Sequence, residues 1–280
     1  MMEKFTLSNG YEIPAIGYGT FRMPEGKETE DAVLEALKAG YRHIDGAAIY
    51  GNEKSVGRAL KRSGIPREDI FLTSKLWNDD KGYENTIRAF QQTLEDLQTD
   101  YLDLYLIHWP IAKASREHWE EANAESWRAM EELYRAGKIK AIGVSNFKAH
   151  HLKPLLEKAE IKPMVDQIEI HPGHLQEETV SFAKEQGMVV EAWAPFSNGQ
   201  IFGIPELEEM ASRHGKSVAQ IVLRWLYQKG IVTLPKSVTP KRMEGNLQIF
   251  DFTLSDEEMK AIEQVNGPMG SGLDPDHVDF

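Results

Sequence analysis

Residues 102–108 read LDLYLIH, a short apolar run that ends in a histidine. Such a run is too short for a buried helix and predicts a buried β-strand. Seven similar runs, several of them rich in β-branched residues, occur along the chain. They are AIGYG (15–19), YRHID (41–45), IFLTSK (70–75), AIGVS (141–145), MVDQIEI (164–170), VVEAW (189–193) and IVTLP (231–235). The sequence therefore predicts eight strands.

Longer amphipathic segments lie between these strands and predict helices. Residues 29–39 carry an apolar stripe, and Gly40 is placed to end that helix. Further helical patterns span residues 83–97 and residues 217–229, the latter with Ser217 as its N-cap and Gly230 after it. Parallel neighbouring strands need crossovers of this length, so the pattern predicts parallel βα units.

Eight βα units in about 250 residues fit a closed (β/α)8 barrel, also called a TIM barrel. An open doubly wound sheet is the alternative fold. A dinucleotide-binding sheet of that kind would place a GxGxxG motif after its first strand, and the segment GYGTF at 17–21 is not that motif. The closed barrel is the favoured interpretation.

The remaining segments complete one barrel domain over residues 1–280. FTLSNGYEI at 5–13 predicts a β-hairpin around Asn9-Gly10 that caps the barrel bottom. Extra helices are expected at 205–214 and 255–266. Residues 267–280, rich in Gly, Pro and Asp, predict a short irregular C-terminal tail. No composition change marks a second domain.

Bulk composition narrows the class of protein. The net charge of −12 argues against nucleic acid or an anionic membrane as the main partner. The absence of cysteine excludes disulfides and thiolate metal sites, and no metal site is expected. No apolar run is long enough to span a bilayer, and the N-terminus lacks a signal-peptide pattern. We expect a cytoplasmic protein, and a monomer because no amphipathic segment is left over for a partner.

Four polar residues stand at or just past the ends of three consecutive predicted strands: Asp45, Tyr50, Lys75 and His108. Each alone has an ordinary explanation, such as a turn-forming aspartate or a solvated lysine. In a parallel barrel, however, strand ends converge on the rim where active sites lie. A phenol, an ammonium, a carboxylate and an imidazole together suit proton donation to a carbonyl group.

Five segments resemble the aldo-keto reductase family, in the family's order and over most of the chain. They are GYRHIDGAAIYGNE (40–53), LYLIHWP (104–110), IGVSNF (142–147), QIEIHP (167–172) and LPKSVTPKRMEGN (234–246). The chain looks most similar to microbial members of the diketogluconate-reductase-like and prostaglandin-F-synthase-like kinds. The resemblance implies reduction of aldehydes, α-dicarbonyls such as methylglyoxal and some ketones to alcohols.

The resemblance implies a role for each of the four residues. Tyr50 would be the general acid that protonates the substrate oxygen, a contribution of typically ~10²–10⁴-fold. Lys75 would lower the pKa of that tyrosine, and Asp45 would hold Lys75. His108 would position the carbonyl and donate a hydrogen bond to it. A cofactor must carry the hydride, because no side chain supplies one.

A basic segment after the eighth strand suggests where the phosphate end of the cofactor binds. Thr239-Pro240 predicts a helix start, whose free N–H groups favour an anion. Lys236 and Arg242 flank it, and a solvated basic patch is the plainer interpretation. By resemblance they hold the 2′-phosphate, so NADPH is expected over NADH. The other residues expected to bind NADPH/NADP+ are Ser145, Asn146, Gln167, Trp193, Ser237 and Asn246.

Aromatic residues beyond the strand ends predict the substrate pocket. By resemblance Phe21, Trp77 and Trp109 line it together with His108, and three aromatics at one rim suggest an apolar mouth. The short tail at 267–280 occupies the family's specificity-loop position. Its shortness predicts a rather open site and a broad range of small carbonyl substrates.

Three positions depart from the family's pattern. Gly46 replaces a usual threonine after Asp45, and glycine loosens the backbone there. Asp166 replaces a usual asparagine beside Gln167, although strand alternation points it the other way. Gly245 replaces a usual acidic residue that contacts the adenine.

Two other functions stay open. A non-catalytic nicotinamide-binding barrel could act as a redox-sensing subunit, but it would not need the four polar residues. A phosphate-binding aldolase or isomerase would use Lys75 as a Schiff-base nucleophile.

Overall fold

Eight parallel strands form the centre of the protein in the computed structural model, which describes residues 3–268 and 270–280. The strands within these residues are β1 Lys4–Thr6, β2 Glu12–Pro14, β3 Tyr18–Gly19, β4 His43–Asp45, β5 Phe71–Leu76, β6 Leu102–Ile107, β7 Ile139–Ser145, β8 Val165–Glu169, β9 Val189–Trp193 and β10 Ile231–Leu234. Strands β3 to β10 pair in chain order, and a parallel bridge between Ile16 and Thr233 joins the first to the last. The predicted (β/α)8 barrel is confirmed, and the alternative of an open doubly wound sheet is wrong.

The barrel strands are buried on both faces, which explains why they are near-continuous apolar runs. Every residue of β5 and β6 is buried. The first strand is shorter than the predicted 15–19, because only Tyr18–Gly19 and the Ile16 bridge pair with neighbours. The chain passes very close to β4 at this point: a Cβ on Gly17 would lie 2.8 Å from His43 Nδ1.

Ten α-helices occur within the described residues and surround the barrel. They are α1 Lys27–Ala39, α2 Glu53–Ser63, α3 Tyr83–Leu97, α4 Trp119–Arg135, α5 Ala149–Lys158, α6 Glu177–Glu185, α7 Pro205–His214, α8 Val218–Gln228, α9 Pro240–Leu247 and α10 Asp256–Glu263. The predicted helices match α1, α3, α7, α8 and α10 to within three residues at each end. Ser217 caps α8 by accepting from the Gln220 N–H, and Gly40 ends α1 with φ 118°.

The N-terminal hairpin closes the bottom of the barrel, as predicted. Strands β1 and β2 pair antiparallel, and the connecting turn contains Gly10 with φ 85°. Asn9 Nδ2 donates to the Lys140 carbonyl near the start of β7, 2.9 Å away. Tyr11 Oη donates to Asp103 Oδ1 near the start of β6, at 2.6 Å. Both contacts lie at the amino ends of the strands, opposite the rim that carries the polar residues.

The C-terminal tail has no helix or strand in its described part, as predicted; Met269 lies outside the described residues. The tail nevertheless crosses the carboxyl end of the barrel. Ser271 Oγ donates to Glu169 Oε2 at the end of β8, at 2.7 Å. Further along, Phe280 O accepts from the Lys113 N–H at 3.2 Å. The tail is therefore attached at both ends to the rim of the barrel.

Candidate active site

The structure brings the four predicted polar residues together at the carboxyl ends of β4, β5 and β6. Asp45 is the last residue of β4, Lys75 lies one residue before the end of β5, and His108 directly follows β6. Tyr50 ends a short 3-10 helix, Ala48–Tyr50, that follows β4. The ring centroids of Tyr50 and His108 are 5.9 Å apart.

Lys75 is completely buried and makes a tight ion pair with Asp45. Its Nζ donates to Asp45 Oδ1 at 2.7 Å, to Oδ2 at 2.6 Å and to the Gly46 carbonyl at 2.8 Å. Burial alone would lower the pKa of Lys75, but the charge of Asp45 and the hydrogen bonds to it favour the ammonium, and the net shift of the pKa is upward. The amine is therefore protonated at neutral pH, which disfavours a Schiff-base role because that role needs a neutral amine.

Tyr50 lies beside this ammonium, with its Oη 3.5 Å from Lys75 Nζ. Burial raises the pKa of Tyr50, Lys75 lowers it, and the net shift is upward. Lys75 acts to lower the pKa of Tyr50, as expected, but desolvation of the phenolate is the larger effect. The phenol thus carries its proton at neutral pH and is able to donate it.

His108 is a neutral imidazole. Burial, with a smaller effect of the Lys75 charge, holds the pKa of His108 well below its ordinary value. Its Nδ1 is buried without a hydrogen-bond partner among the described residues. The ring packs edge-on against Trp77, with centroids 5.3 Å apart. A neutral imidazole still has one N–H, so it can donate a hydrogen bond to a carbonyl without adding a charge.

The three predicted pocket aromatics line this rim. Phe21 is 54% exposed and its ring lies 5.0 Å from that of Tyr50. Trp77 and Trp109 both contact Phe280, with ring centroids 5.5 Å and 5.4 Å away. The prediction of an open site fails at this point, because the tail lays an aromatic ring over two of the pocket residues. Composition alone could not reveal a contact that depends on where the tail crosses the barrel.

A charged cluster at the start of α5, formed by its N-cap Lys148 and by His150 and His151, holds the tail in this position. Lys148 Nζ donates to Asp274 Oδ1 at 2.7 Å and to Asp276 Oδ2 at 2.9 Å. Nε2 of His150 and Nε2 of His151 lie 2.6 Å and 2.8 Å from Asp276 Oδ1. The two histidines and Asp276 are close enough to share a metal ion. The backbone N–H of Lys148, however, donates to His151 Nδ1, so the hydrogen of the neutral ring is on Nε2. His151 Nε2 therefore donates to Asp276 and is not free to bind a metal ion.

The residues expected beside the nicotinamide form one hydrogen-bonded group. Ser145 Oγ donates to the Gln167 carbonyl at 2.7 Å. Asn146 has φ 64°, in the left-handed region that asparagine tolerates. Its Nδ2 donates to the His108 carbonyl and its Oδ1 accepts from Trp193 Nε1, both at 2.9 Å. The amide and indole groups are thereby fixed next to His108.

The basic segment lies at the start of α9, as predicted. Lys236 and Arg242 are exposed and make no ion pair with the residues that the structure describes. Thr239 is the N-cap, but its side chain makes no capping bond, and Ser237 Oγ accepts from the Thr239 N–H at 3.1 Å instead. Asn246 lies buried on the same helix. Two free cations beside a helix start fit an anionic group.

The three positions that depart from the family's pattern, Gly46, Asp166 and Gly245, have different surroundings. A Cβ on Gly46 would be 3.5 Å from the Thr73 carbonyl, an ordinary contact, and one on Gly245 would meet nothing within 4 Å. Asp166 is completely buried, and neither carboxyl oxygen has a hydrogen-bond partner among the described residues. Burial raises the pKa of Asp166 well above its ordinary value. Gln167 instead turns its side chain to Asp45, so the two neighbours point apart, as strand alternation predicts.

Two buried residues next to the site were not singled out from the sequence. Glu191 in β9 accepts from Gln167 Nε2 at 3.0 Å. His43 in β4 lies 3.1 Å from Thr73 Oγ1 and 3.8 Å from Glu191 Oε1. A glutamate inside VVEAW and a histidine inside YRHID are polar residues in strands otherwise read as buried. A charged or ionisable residue in a strand predicted to be buried was the signal that could have identified both.

No helix among the described residues is both long and apolar enough to cross a membrane.

Comparisons with known proteins show the family to which the chain is similar. A model of the aldo/keto reductase family matches residues 15–267. Glyoxal reductase of Bacillus subtilis (strain 168) is 50% identical over 274 residues, covering 98% of this chain and 96% of the relative. The 9,11-endoperoxide prostaglandin H2 reductase of Trypanosoma cruzi (strain CL Brener) is 44% identical over 275 residues, 97% of this chain and 94% of the relative. A variant of Gox0644, solved in complex with NADPH, is 37% identical, covers all of both chains and superposes with a TM-score of 0.92.

These findings confirm the family and the oxidoreductase class that the sequence predicted. Each match extends along nearly the whole chain, so the similarity includes the strands that carry the site. The chain belongs to the aldo/keto reductase family.

Proposed function

We propose that the protein reduces aldehydes, α-dicarbonyls such as methylglyoxal, and some ketones to alcohols with NADPH. The observation that carries the proposal is the position of Tyr50. A protonated phenol lies 3.5 Å from a buried ammonium and beside a neutral imidazole, at the rim where barrels place active sites. The glyoxal reductase and the prostaglandin H2 reductase among the relatives support carbonyl reduction.

In this proposal Tyr50 is the general acid. As the substrate oxygen gains negative charge, the Tyr50 hydroxyl gives it a proton and becomes a phenolate. Lys75 stabilises that phenolate, because its ammonium is held 3.5 Å away by Asp45. The phenol has a high pKa before the reaction, so it does not lose its proton to water, and the adjacent positive charge lowers the free energy of the phenolate when it forms.

His108 orients the carbonyl in the same proposal. Its neutral ring donates an N–H to the substrate oxygen, while Trp77 and Trp109 fix the plane of the imidazole by packing against it. Phe21 and the tail residue Phe280 complete an apolar wall around the reacting group. Such a wall excludes water and favours small carbonyl compounds with apolar substituents.

The surrounding residues fit a bound nicotinamide cofactor. NADPH, when bound, supplies the hydride. Ser145, Asn146 and Gln167 present hydrogen-bonding groups beside the catalytic cluster for a carboxamide, and Trp193 presents an indole ring. Lys236, Ser237 and Arg242 present a hydroxyl and two cations for the 2′-phosphate, and Asn246 lies on the same helix for the adenine. The solved relative in complex with NADPH supports this choice of cofactor.

Mixing the purified protein with NADPH and methylglyoxal, with NADH in parallel, tests the proposal through the loss of reduced-nicotinamide absorbance. We expect oxidation of NADPH that depends on methylglyoxal, with NADH oxidised more slowly. If the protein binds NADPH but none of several aldehydes causes its oxidation, a non-catalytic redox-sensing barrel would be favoured. The monomeric state, the single domain over 1–280 and the cytoplasmic location remain predictions.

A further inference from the structure

A buried glutamate, Glu191, lies beside Gln167, one of the residues proposed to bind the nicotinamide. Glu191 pairs in register with Gln167, so the two side chains lie next to each other inside the barrel. Glu191 is completely buried, and its Oε1 has no hydrogen-bond partner among the described residues. The nearest basic atom to Oε1 is His43 Nε2, 3.8 Å away. A carboxyl with so few partners destabilises the fold, which suggests that it serves another purpose.

Glu191 and Asp45 together fix the orientation of the Gln167 amide. Gln167 Nε2 donates to Glu191 Oε2 at 3.0 Å and to Asp45 Oδ2 at 3.3 Å. The amide oxygen accepts no hydrogen bond from the described residues and is not completely buried. Rotating the amide by half a turn would put its oxygen against Asp45 Oδ2, an acceptor that is ion-paired with Lys75 and would repel it. The amide nitrogen therefore faces into the barrel and the oxygen faces the rim.

Of these two acceptors, Glu191 is the closer to Gln167. Both oxygens of Asp45 already accept hydrogen bonds from Lys75, and the Asp45 contact with Gln167 is the longer of the two. Burial, reinforced by the charge of Asp45, raises the pKa of Glu191 to about 8. Charged or neutral, the carboxyl keeps an oxygen that accepts from an amide N–H.

We propose that Glu191 is a positioning residue that acts through Gln167, holding its amide oxygen toward the nicotinamide half of the cofactor. This rests on the proposed function, since it assumes that Gln167 contacts a nicotinamide. Glu191 itself touches neither cofactor nor substrate. Without it, the Gln167 side chain would lose its closer anchor and would have to be ordered each time the cofactor binds.

Glu191→Leu and Glu191→Gln separate this role from simple packing. Binding is measured by quenching of tryptophan fluorescence with two probes: NADPH, and adenosine 2′,5′-bisphosphate, which lacks the nicotinamide. We expect Glu191→Leu to weaken NADPH binding about five- to tenfold, the effect of one ordering hydrogen bond, and to leave the bisphosphate unchanged. Glu191→Gln should stay within about twofold of the parent for both probes, because its amide oxygen accepts the same Gln167 N–H.

A matched control removes another buried glutamate. Glu53 accepts from Ser74 Oγ at 2.6 Å and from Thr93 Oγ1 at 3.2 Å, and it makes no contact with Gln167. Glu53→Leu should lower the midpoint of unfolding while leaving both binding constants unchanged. If Glu191→Leu does not fold, Glu191→Met, which is unbranched and closer in shape to glutamate, carries the same expectation.

A double-mutant comparison tests whether Glu191 acts through Gln167. Once Gln167→Leu has weakened NADPH binding, adding Glu191→Leu should weaken it no further. Additive losses, or equal losses for NADPH and the bisphosphate, would overturn the inference. Unchanged NADPH binding in Glu191→Leu would also overturn it while leaving the proposed function in place. Failure of the parent protein to bind NADPH would instead overturn the proposed function.

Discussion

Phe280 stacks on Trp77 with 5.5 Å between ring centroids and 24° between ring planes. Trp77 in turn packs edge-on against His108, so the tail is linked to the site through one aromatic ring. The tail therefore forms part of the wall of the proposed substrate pocket.

Phe280→Ala should raise the KM for an aromatic aldehyde such as nitrobenzaldehyde about three- to tenfold, the effect of losing one aromatic contact. The KM for methylglyoxal, which is smaller, should change less. Steady-state kinetics with both substrates measure this. Leu273→Ala is the control, because Leu273 is another exposed apolar residue of the tail. Equal changes in the two variants would mean that Phe280 does not line the pocket.

Asp276→Ala should loosen the tail. Burial alone would raise the pKa of Asp276, but hydrogen bonds from Lys148 and His150 lower it to about 2, so the carboxylate is charged at all ordinary pH values. Its removal takes one partner from each of three side chains at the start of α5, Lys148, His150 and His151. We expect faster hydrogen exchange in the tail, measured by mass spectrometry, and a KM change like that of Phe280→Ala.

Asp279→Ala is the matched control for this variant. The Asp279 carboxylate is largely exposed and lies 3.8 Å from Arg116, and an exposed ion pair of that kind contributes little. Hydrogen exchange that is equally fast in the two variants would contradict the anchoring role of Asp276.

Lys236→Ala and Arg242→Ala should each weaken NADPH binding about ten- to a hundredfold, because each would remove a charged hydrogen bond to the 2′-phosphate. NADH, which lacks that phosphate, should bind almost as before. Lys241→Ala removes an exposed cation from the same helix and provides the control. Fluorescence titrations measure the affinity for both cofactors. Equal losses of affinity for NADPH and NADH would exclude a 2′-phosphate site at Lys236 and Arg242.

Asp166→Asn should stabilise the protein increasingly as the pH rises from 5 to 7. Burial raises the pKa of Asp166 well above its ordinary value, so the folded protein retains a proton that the unfolded chain releases. Between the unfolded pKa of about 4 and the raised folded pKa, this group lowers the free energy of unfolding by about 1.4 kcal/mol per pH unit. Because asparagine does not ionise, the free energy of unfolding of the variant does not fall with pH for this reason.

Urea unfolding of the parent and the Asp166→Asn variant at pH 5 and pH 7 measures the effect. The stability advantage of the variant should be larger at pH 7. An equal advantage at both pH values would mean that Asp166 is not held protonated in the folded protein.

The strands and the placement of the four polar residues at the rim were predictable from the sequence for a common physical reason. Runs such as LDLYLIH are apolar because both faces of a barrel strand are buried, and a residue that ends a strand lies on the rim whatever the details of packing. Helix α3 begins and ends at the predicted residues, Tyr83 and Leu97, because its apolar spacing is regular.

What the sequence could not predict depends on distant parts of the chain. The Gln167 contact with Glu191 follows from the register of β8 and β9, which apolar spacing alone does not determine. The tail is held across the rim because Lys148, more than a hundred residues earlier, pairs with Asp274 and Asp276. The net pKa of Tyr50 depends on how far the folded chain buries it, which the effect of the Lys75 charge alone does not reveal.

Tyr50→Phe tests the central claim most directly. The substitution removes only the hydroxyl that would protonate the substrate. Tyr105→Phe is its control, because the Tyr105 hydroxyl is also buried but has no hydrogen-bond partner among the described residues. We would measure methylglyoxal-dependent oxidation of NADPH, and NADPH binding by fluorescence, for both variants. The account predicts a loss of about 10²–10⁴-fold in kcat for Tyr50→Phe with NADPH binding retained, and near-parental values for Tyr105→Phe. Parental turnover in Tyr50→Phe would contradict it.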